Sequence, residues 1–194
     1  MEKAVVENDE EYLAIPLLLY TGERIGEILG LGHSDFNKND STITIHRSLR
    51  RQISENEGGT WKAHEYEVEE YLKKNSEART ILVPEIVFEL EKEIKRIRMK
   101  RGIAYTDDLL FHVKTPHAVC GKLYRLCRDL GIFRRSPHKC RKTYISNLLN
   151  NGVDPDFVRE QAGHKDIQTT LNSYVYSTTR NDEKIKQLNN ILAV

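Results

Sequence analysis

The segment SPHKCRKTYISNLLNNG, at residues 136–152, predicts a helix with a clear beginning and a clear end. Ser136 is a favoured residue at a helix N-cap, and Pro137 is favoured at the first helical position. Gly152 is typical of a helix end, so the helix is expected to continue to Asn150. The chain is therefore expected to contain a long helix in its last third, and polar residues lie in the first turns of that helix.

Two cationic side chains, His138 and Arg141, stand three residues apart in these first turns, so they share one face of the helix. Ile145 and Leu148 continue that face, which directs the cations toward the interior or a cleft. Burying an arginine without an anionic partner is costly, and the N–H groups at a helix N-terminus favour an anion such as phosphate. The partner is therefore either a bound phosphate or a carboxylate of the protein itself.

A further arginine, Arg24, lies in the segment TGERIGEILGL at residues 21–31. The segment predicts a short helix over residues 22–29, capped by Thr21, with Arg24 in its first turn. Glu27 follows one turn later. The pair is either an ordinary surface ion pair or a second phosphate-binding arginine that is held in position by its acid.

A third polar group follows a helix that is predicted over residues 154–163. The tripeptide Ala-Gly-His, residues 162–164, precedes a short helix that begins at Asp166 and carries Tyr174. A tyrosine at the end of a helix is usually a packing residue, and Tyr176 shows how little one tyrosine indicates alone. Tyr174 therefore becomes informative only in combination with the other polar residues.

The remaining patterns predict an α+β fold that is mainly helical. A small three-stranded antiparallel sheet is expected from strands at residues 42–45, 66–71 and 79–83. The last two strands would be joined by a turn at 73–78, and the polar stretch 51–63 would form a loop. Amphipathic patterns predict further helices at residues 8–18, 84–102 and 116–130. Leu130 is expected on the buried face of the last of these.

Charge is unevenly distributed along the 194 residues, although the formal net charge is only +1. Fifteen Lys/Arg and four Asp/Glu lie between Lys92 and Lys142, whereas the segment from Met1 to Gly30 has two Lys/Arg and seven Asp/Glu. The asymmetry indicates either one basic face suited to DNA or ordinary solvated helix faces. The length is typical of a single domain.

The three cysteines cannot all pair with one another, and their spacing forms neither a CxxC motif nor a metal-binding cluster. They are expected to be reduced thiols of a cytoplasmic protein. The longest apolar run, Leu13–Leu19, is too short to span a bilayer, and no leader is visible. No membrane partner, metal or other cofactor is therefore expected.

Taken together, TGERIGEILGL (21–31), HKCR (138–141), AGH (162–164) and Tyr174 occur in an order that resembles the signature of the tyrosine recombinase (integrase) family. The Gly-His-x-x-x-x-Thr-Thr-x-x-x-Tyr pattern is similar to the phage and conjugative-transposon branch. The resemblance implies the DNA breaking-rejoining enzyme fold, with residues 1–194 as the catalytic domain. Family members usually place DNA-binding domains upstream, and these are expected to be absent from this chain.

The resemblance also implies a role for each matching residue. The scissile phosphate would be surrounded by Arg24, His138, Arg141 and His164. Tyr174 would be the nucleophile, and Glu27 would support Arg24. The family's hairpin lysine is assigned to Lys73, counted back from the segment LKKNSEARTIL, with Lys74 as the alternative.

The residue types suit attack on a phosphodiester. Two arginines can neutralise the developing negative charge with bidentate hydrogen bonds, so no metal is needed. Tyrosine has a free pKa of about 10 and needs a cationic pocket or a base, for which His138 is the candidate. The hairpin lysine would protonate the departing 5′ oxygen. The resemblance implies a 3′-phosphotyrosyl intermediate, which the 5′ hydroxyl of another strand later attacks.

The implied partners are double-stranded DNA and further copies of the chain, with a tetramer expected in synapsis. The amphipathic tail 183–194 could pack on a neighbouring copy or on its own domain. Two other functions stay open: relaxation of DNA by a type IB topoisomerase, and DNA binding without catalysis. Binding alone gives no reason for Tyr174.

Overall fold

The computed structural model describes residues 1–52, 65–70, 78–103, 108–112 and 115–174, with the backbone alone for residues 65 and 172–174. The described helices are α1 (Glu2–Glu7), α2 (Ala14–Thr21), α3 (Ile25–Gly30), α4 (Ile86–Lys100), α5 (Pro116–Asp129), α6 (Pro137–Asn150), α7 (Pro155–Ala162) and α8 (Ile167–Tyr174). Short 3-10 helices precede α2 and follow α3. The prediction of a mainly helical α+β fold is confirmed.

Among the described residues, five strands form two antiparallel sheets: β1 (Phe36–Asn37), β2 (Thr42–Ile45), β3 (Arg47–Gln52), β4 (Glu65–Glu70) and β5 (Arg79–Leu82). One sheet has the order β1-β2-β5, with Ile43 opposite Ile81. The other pairs β3 with β4 and sets Leu49 opposite Val68. The three predicted strands are therefore divided between the two sheets, and β1 and β3 are additional.

Strand β3 was not visible as a strand because its sequence, RSLRRQ, does not alternate between apolar and polar residues. Its backbone instead packs closely on α3. A Cβ atom on Gly26 would lie 2.7 Å from the Leu49 carbonyl oxygen, so this approach requires glycine. Residues 51 and 52, predicted as the start of a loop, are the last residues of β3, and the rest of that loop lies outside the described residues.

The hydrophobic core lies between the helices and the first sheet. Helix α2 is apolar on nearly every side and central. Its own Leu17 and Leu18 are buried, and so are Ile28, Leu90 and Ile94 of the surrounding helices. Leu130 was predicted to be buried and is 70% exposed. Helix α5 ends one residue earlier, at Asp129, so the apolar stripe of that helix stops before Leu130.

The helix boundaries follow the local signals closely. Helices α6 and α7 begin at the predicted prolines, and α7 ends at Gly163, which is left-handed with φ 63°. The helix predicted over residues 8–18 does not begin at Asn8. Asn8 instead ends α1, and the neighbouring Asp9 side chain accepts the hydrogen bond from the Glu11 amide.

Some of the charged residues that cause the asymmetry along the sequence pair with one another in the fold. The acidic N-terminal segment forms ion pairs with the basic stretch: Lys122 Nζ lies 2.9 Å from Asp9, and Arg101 contacts Glu10. Arg98 is 1% exposed and donates to the Leu109 carbonyl at 2.6 Å. The predicted basic face is therefore smaller than the sequence indicates. It is carried by exposed residues that include Arg125, Arg128, Arg134, Arg135 and Lys139.

The three cysteines are free thiols. Burial raises the pKa of the Cys140 thiol, as expected for a packing residue. Within the described part of the chain, no helix combines the length and the apolar character needed to cross a membrane.

Candidate active site

Arg141 lies on α6, and its side chain connects two turns of the chain that are far apart in sequence. The guanidinium is 3% exposed. Nη1 donates to the Gly22 carbonyl at 2.8 Å, and Nη2 donates to the Ala162 carbonyl. Among the described residues it forms no ion pair with a carboxylate, so its charge is available to a ligand. Burial and the charge of Arg24 lower the pKa of Arg141 to about 10, which leaves it protonated at neutral pH.

Arg24 was predicted in the first turn of α3, but it is the N-cap residue of that helix. The helix starts later because Thr21 ends α2, where its hydroxyl donates to the Leu17 carbonyl at 2.7 Å. Glu27, which is 1% exposed, accepts from the Arg24 amide at 2.9 Å and from Arg24 Nη1 at 3.0 Å. The Arg24 side chain is nevertheless 53% exposed. Glu27 therefore orients Arg24 and leaves part of its guanidinium accessible.

His164 follows the left-handed Gly163 at the end of α7. Its Nδ1 lies 2.9 Å from the hydroxyl of Thr170, a side chain with 0% exposure on α8. Burial and then the charges of Arg141 and Arg24 lower the pKa of His164 to about 4. His164 is therefore neutral at pH 7, and the bond to Thr170 fixes the orientation of its ring.

His138 stands exposed at the start of α6. Its pKa is also lowered, first by partial desolvation and then by Lys142 and Arg141. Arg24 and His138 both act on the charge of His164, and Arg24 also acts on His138. The fold thus brings Arg24, His138, Arg141 and His164 together in one cationic site that we call the arginine–histidine cluster. Both imidazoles are therefore neutral there at pH 7.

The low pKa of His164 predicts that part of the protein's stability depends on pH. An unfolded imidazole, with its usual pKa of 6.5, takes up a proton that the folded form resists down to about pH 4. Stability should therefore fall as pH drops through this window, and His164→Gln should reduce that dependence. Urea unfolding at about pH 7 and about pH 5 measures it. His117→Gln, at an exposed histidine, is the control, and equal pH dependence in wild type and His164→Gln would contradict the pKa.

Several of the predicted positions lie wholly or partly outside what the structure describes. The Tyr174 backbone closes α8, but its side chain is not among the described ones. Lys73 and Lys74, and the tail 183–194, are also outside the described residues. The catalytic roles of Tyr174 and Lys73, like those of the other site residues, thus stay predictions. In the described ranges, no group of three or more His, Cys, Asp or Glu side chains could hold a metal ion.

Two residues of the site were missed from the sequence. Arg79, at the start of β5, contacts Glu23 through Nη2, and the same nitrogen lies 3.2 Å from Glu27. Glu23 has 0% exposure, and burial together with the neighbouring Glu27 carboxyl raises the pKa of Glu23 well above its usual value. Glu23 could have been suspected from its place beside Arg24. Nothing in the sequence connects Arg79 with residues 23–27, because that contact is long-range.

Comparison with known proteins places these features in a family. The family model described as the phage integrase family matches residues 6–181. A tyrosine recombinase XerC-like protein of Caldanaerobacter subterraneus subsp. tengcongensis is 26% identical over 169 residues, 80% of this chain and 43% of that protein. Transposase A from transposon Tn554 of Staphylococcus aureus is 30% identical over 163 residues, 84% of this chain and 42% of the transposase. The chain thus spans less than half the length of these curated relatives.

Solved structures agree on the fold. The XerA recombinase superposes with a TM-score of 0.67 and 20% identity, over 98% of this chain and 61% of that one. The Tn1549 transposon integrase in complex with transposon right end DNA gives a TM-score of 0.64 and 25% identity, over 94% of this chain and 58% of the integrase. The arginine–histidine cluster, the fold and the family match agree, and the chain belongs to the phage integrase family.

Proposed function

We propose that this chain is the catalytic part of a site-specific DNA recombinase, which serves a mobile genetic element and works through a 3′-phosphotyrosyl intermediate. The observation that carries the proposal is the arginine–histidine cluster. Its members come from α6 and from the turns before α3 and after α7, and Arg141 is buried without a carboxylate ion pair among the described residues. The charges of Glu23 and Glu27 offset this burial only in part, since the pKa of Arg141 is still lowered to about 10. A DNA phosphate that accepts hydrogen bonds from both guanidiniums would offset more of it.

In the proposed reaction, the Tyr174 hydroxyl attacks the phosphorus in line with the departing 5′ oxygen. A new O–P bond joins the enzyme to the 3′ end, and the O–P bond to the 5′ oxygen breaks. His138, neutral at pH 7 by its lowered pKa, takes the phenol proton. Lys73 supplies a proton to the 5′ oxygen. Arg24 and Arg141 stabilise the charge on the non-bridging oxygens.

The second half of the reaction reverses these bonds with a new partner strand. A 5′ hydroxyl of that strand attacks the phosphotyrosine, and Tyr174 leaves with its proton restored. Exchange between two duplexes needs several copies of the chain, which is why a tetramer on DNA belongs to the proposal. Relatives named as transposases and an integrase solved with transposon DNA support the assignment to a mobile element. The reaction would take place in the bacterial cytoplasm.

A suicide substrate tests this function directly. In a duplex nicked close to the cleavage site, the short 5′-hydroxyl fragment diffuses away, so a covalent protein–DNA adduct accumulates and is visible on a denaturing gel. We expect an adduct, followed by strand exchange when a partner duplex with a 5′ hydroxyl is added. Relaxation of supercoils without exchange would favour a topoisomerase, and binding without an adduct would favour a non-catalytic module.

Binding to DNA is expected to weaken steeply with salt. Each phosphate neutralised by the basic surface contributes about −0.9 to the slope of log K against log salt. Arg125→Gln and Arg128→Gln should each make this slope shallower, for all duplex sequences about equally, because contacts to the backbone do not read sequence. Fluorescence anisotropy with duplexes of two unrelated sequences at several salt concentrations measures both effects.

Lys122 provides the matched control for this experiment. It belongs to the same helix, α5, but its side chain is 13% exposed and paired with Asp9 and Glu11. Lys122→Gln removes the same charge from the chain and should leave the salt slope unchanged. A slope that responds to Lys122→Gln as much as to Arg125→Gln would contradict the assignment of the basic surface.

A further inference from the structure

The two glutamates of the segment TGERIGE form a buried acidic pair beneath the arginine–histidine cluster. Glu23 has 0% exposure and Glu27 has 1%, and their carboxyl groups are close enough to influence each other's protonation. A buried carboxylate needs a cation or hydrogen-bond donors to offset its desolvation. The acidic pair therefore requires a partner, and Arg24, which is half exposed, meets that requirement only in part.

Arg79 is the second cation at the acidic pair. Its side chain is 16% exposed and contacts both glutamates. Its Nη1 lies 3.4 Å from Oε1 of Glu27, the same oxygen that accepts from Arg24 at 3.0 Å. Glu27 thus divides its negative charge between two guanidiniums. Loss of Arg79 would strengthen the pull of Glu27 on Arg24, which would draw Arg24 away from a phosphate.

The Arg79 guanidinium also packs against the turn that carries His164. A Cβ atom on Gly163 would lie 2.5 Å from Arg79 Cζ, so a larger residue at this position would have to displace the Arg79 side chain. The left-handed φ of 63° at this position also favours glycine. The charge of Arg79 is one of those that lower the pKa of His164. Arg79 therefore lies between the acidic pair and the Gly163–His164 turn.

We propose that Arg79 is a positioning residue of the cleavage site, which fastens the Gly163–His164 turn to the acidic pair and so fixes His164 relative to the phosphate-binding arginines. This role rests on the proposed function, because the site must cleave DNA for positioning to matter. Arg79 itself is turned toward the acidic pair and is not assigned a contact with the phosphate. Glu23 shares the positioning role, since its carboxylate accepts a hydrogen bond from Arg79 Nη2.

The decisive variants are Arg79→Gln and Arg79→Lys, and Arg47→Gln is the matched control. Arg47 is also nearly buried, at 15% exposure, and is also bound to two carboxylates, Asp35 at 3.0 Å and Asp108 at 2.9 Å. Its partners lie outside the arginine–histidine cluster. Each variant of the 194-residue chain is compared for thermal stability, DNA affinity and the single-turnover rate of adduct formation on the suicide substrate.

We expect Arg79→Gln to slow adduct formation by roughly tenfold to a hundredfold, the scale of a small misplacement of reacting groups. Its DNA affinity should change much less than the rate. Arg79→Lys keeps the charge but cannot contact both carboxylates with one planar group, so it should also slow the reaction. Arg47→Gln should lower stability without this loss of rate. A rate in Arg79→Gln equal to that of Arg47→Gln would overturn the proposal.

The titration of His164, followed by NMR of the histidine rings without DNA, provides a readout that a merely structural residue would not move. The charges that act on the His164 ring are those of Arg24 before α3, Arg141 and His138 on α6, and Arg79 on β5, and its Nδ1 contacts the Thr170 hydroxyl on α8. Arg159 on α7 contacts only the His164 backbone, through its own carbonyl and its guanidinium. Arg79→Gln removes one cation and should raise the pKa of His164 from about 4. Arg79→Lys should leave it low.

The rate of adduct formation and the titration of His164 distinguish a failure of the proposed function from a failure of the positioning role. If wild type forms no adduct, the proposed function fails, while the His164 titration still decides whether Arg79 controls the turn. If Arg79→Gln does not fold, Arg79→Lys decides through its rate compared with wild type. An unchanged rate in folded Arg79→Gln, or in Arg79→Lys where Arg79→Gln does not fold, would overturn the positioning role. Where wild type forms no adduct, an unchanged His164 pKa in Arg79→Gln would overturn it.

Discussion

Tyr174→Phe is expected to abolish covalent attachment to DNA while DNA affinity stays nearly the same. The change removes one oxygen, which is the atom that would form the bond to phosphorus. Tyr174 is the last residue of α8, and the same helix carries Thr170, which holds His164 at 2.9 Å. Helix α8 thus connects the proposed nucleophile to the arginine–histidine cluster.

The assay for Tyr174→Phe is adduct formation on the suicide substrate, with anisotropy as the measure of binding. Tyr176→Phe is the matched control, since it removes the same oxygen two residues away. We expect this control to form adduct at the wild-type rate. An adduct with Tyr174→Phe, combined with its loss in Tyr176→Phe, would show that the nucleophile is wrongly assigned.

Arg24→Lys and Arg141→Lys are each expected to slow cleavage by about a hundredfold or more, the cost of losing a preorganised donor to the transition state. Lysine keeps the charge and loses the planar fork. For Arg141 the fork also spans the Gly22 and Ala162 carbonyls, which one ammonium group cannot replace. Arg141→Lys should therefore lose stability as well, whereas Arg24→Lys should lose little stability because Arg24 is half exposed.

Single-turnover rates and melting temperatures separate these two effects. Arg24→Lys is the more informative variant, because its loss of rate is expected without a comparable loss of stability. Arg135→Lys, at an exposed position of the basic surface, is the control and should keep the wild-type rate. Wild-type rates in both Arg24→Lys and Arg141→Lys would show that these arginines do not bind the scissile phosphate.

Local signals predicted the helices well because their causes are local. Proline at the first helical position and glycine after the last turn act within a few residues, and α6 and α7 begin and end as these signals indicate. The fold class and the family were also predicted correctly, since both rest on an ordered set of motifs in the chain.

The sequence-based predictions failed where a feature depends on residues that are far away in sequence. Strand β3 has no strand pattern of its own and is stabilised by β4 and by the close approach of Gly26 on α3. The basic stretch was overestimated as a surface because Lys122 and Arg101 pair with N-terminal acids that are far away in sequence. Neither pairing leaves a trace in the neighbouring residues.

The same division applies to the site. The order of the motifs could be predicted without coordinates: an arginine with an acid one turn on, His138 with Arg141, then His164 and Tyr174. The contact of Arg141 with the Gly22 carbonyl and the place of Arg79 at the acidic pair became visible in the folded chain alone. Motifs record short-range geometry, whereas burial and ion pairing depend on residues that the whole fold brings together.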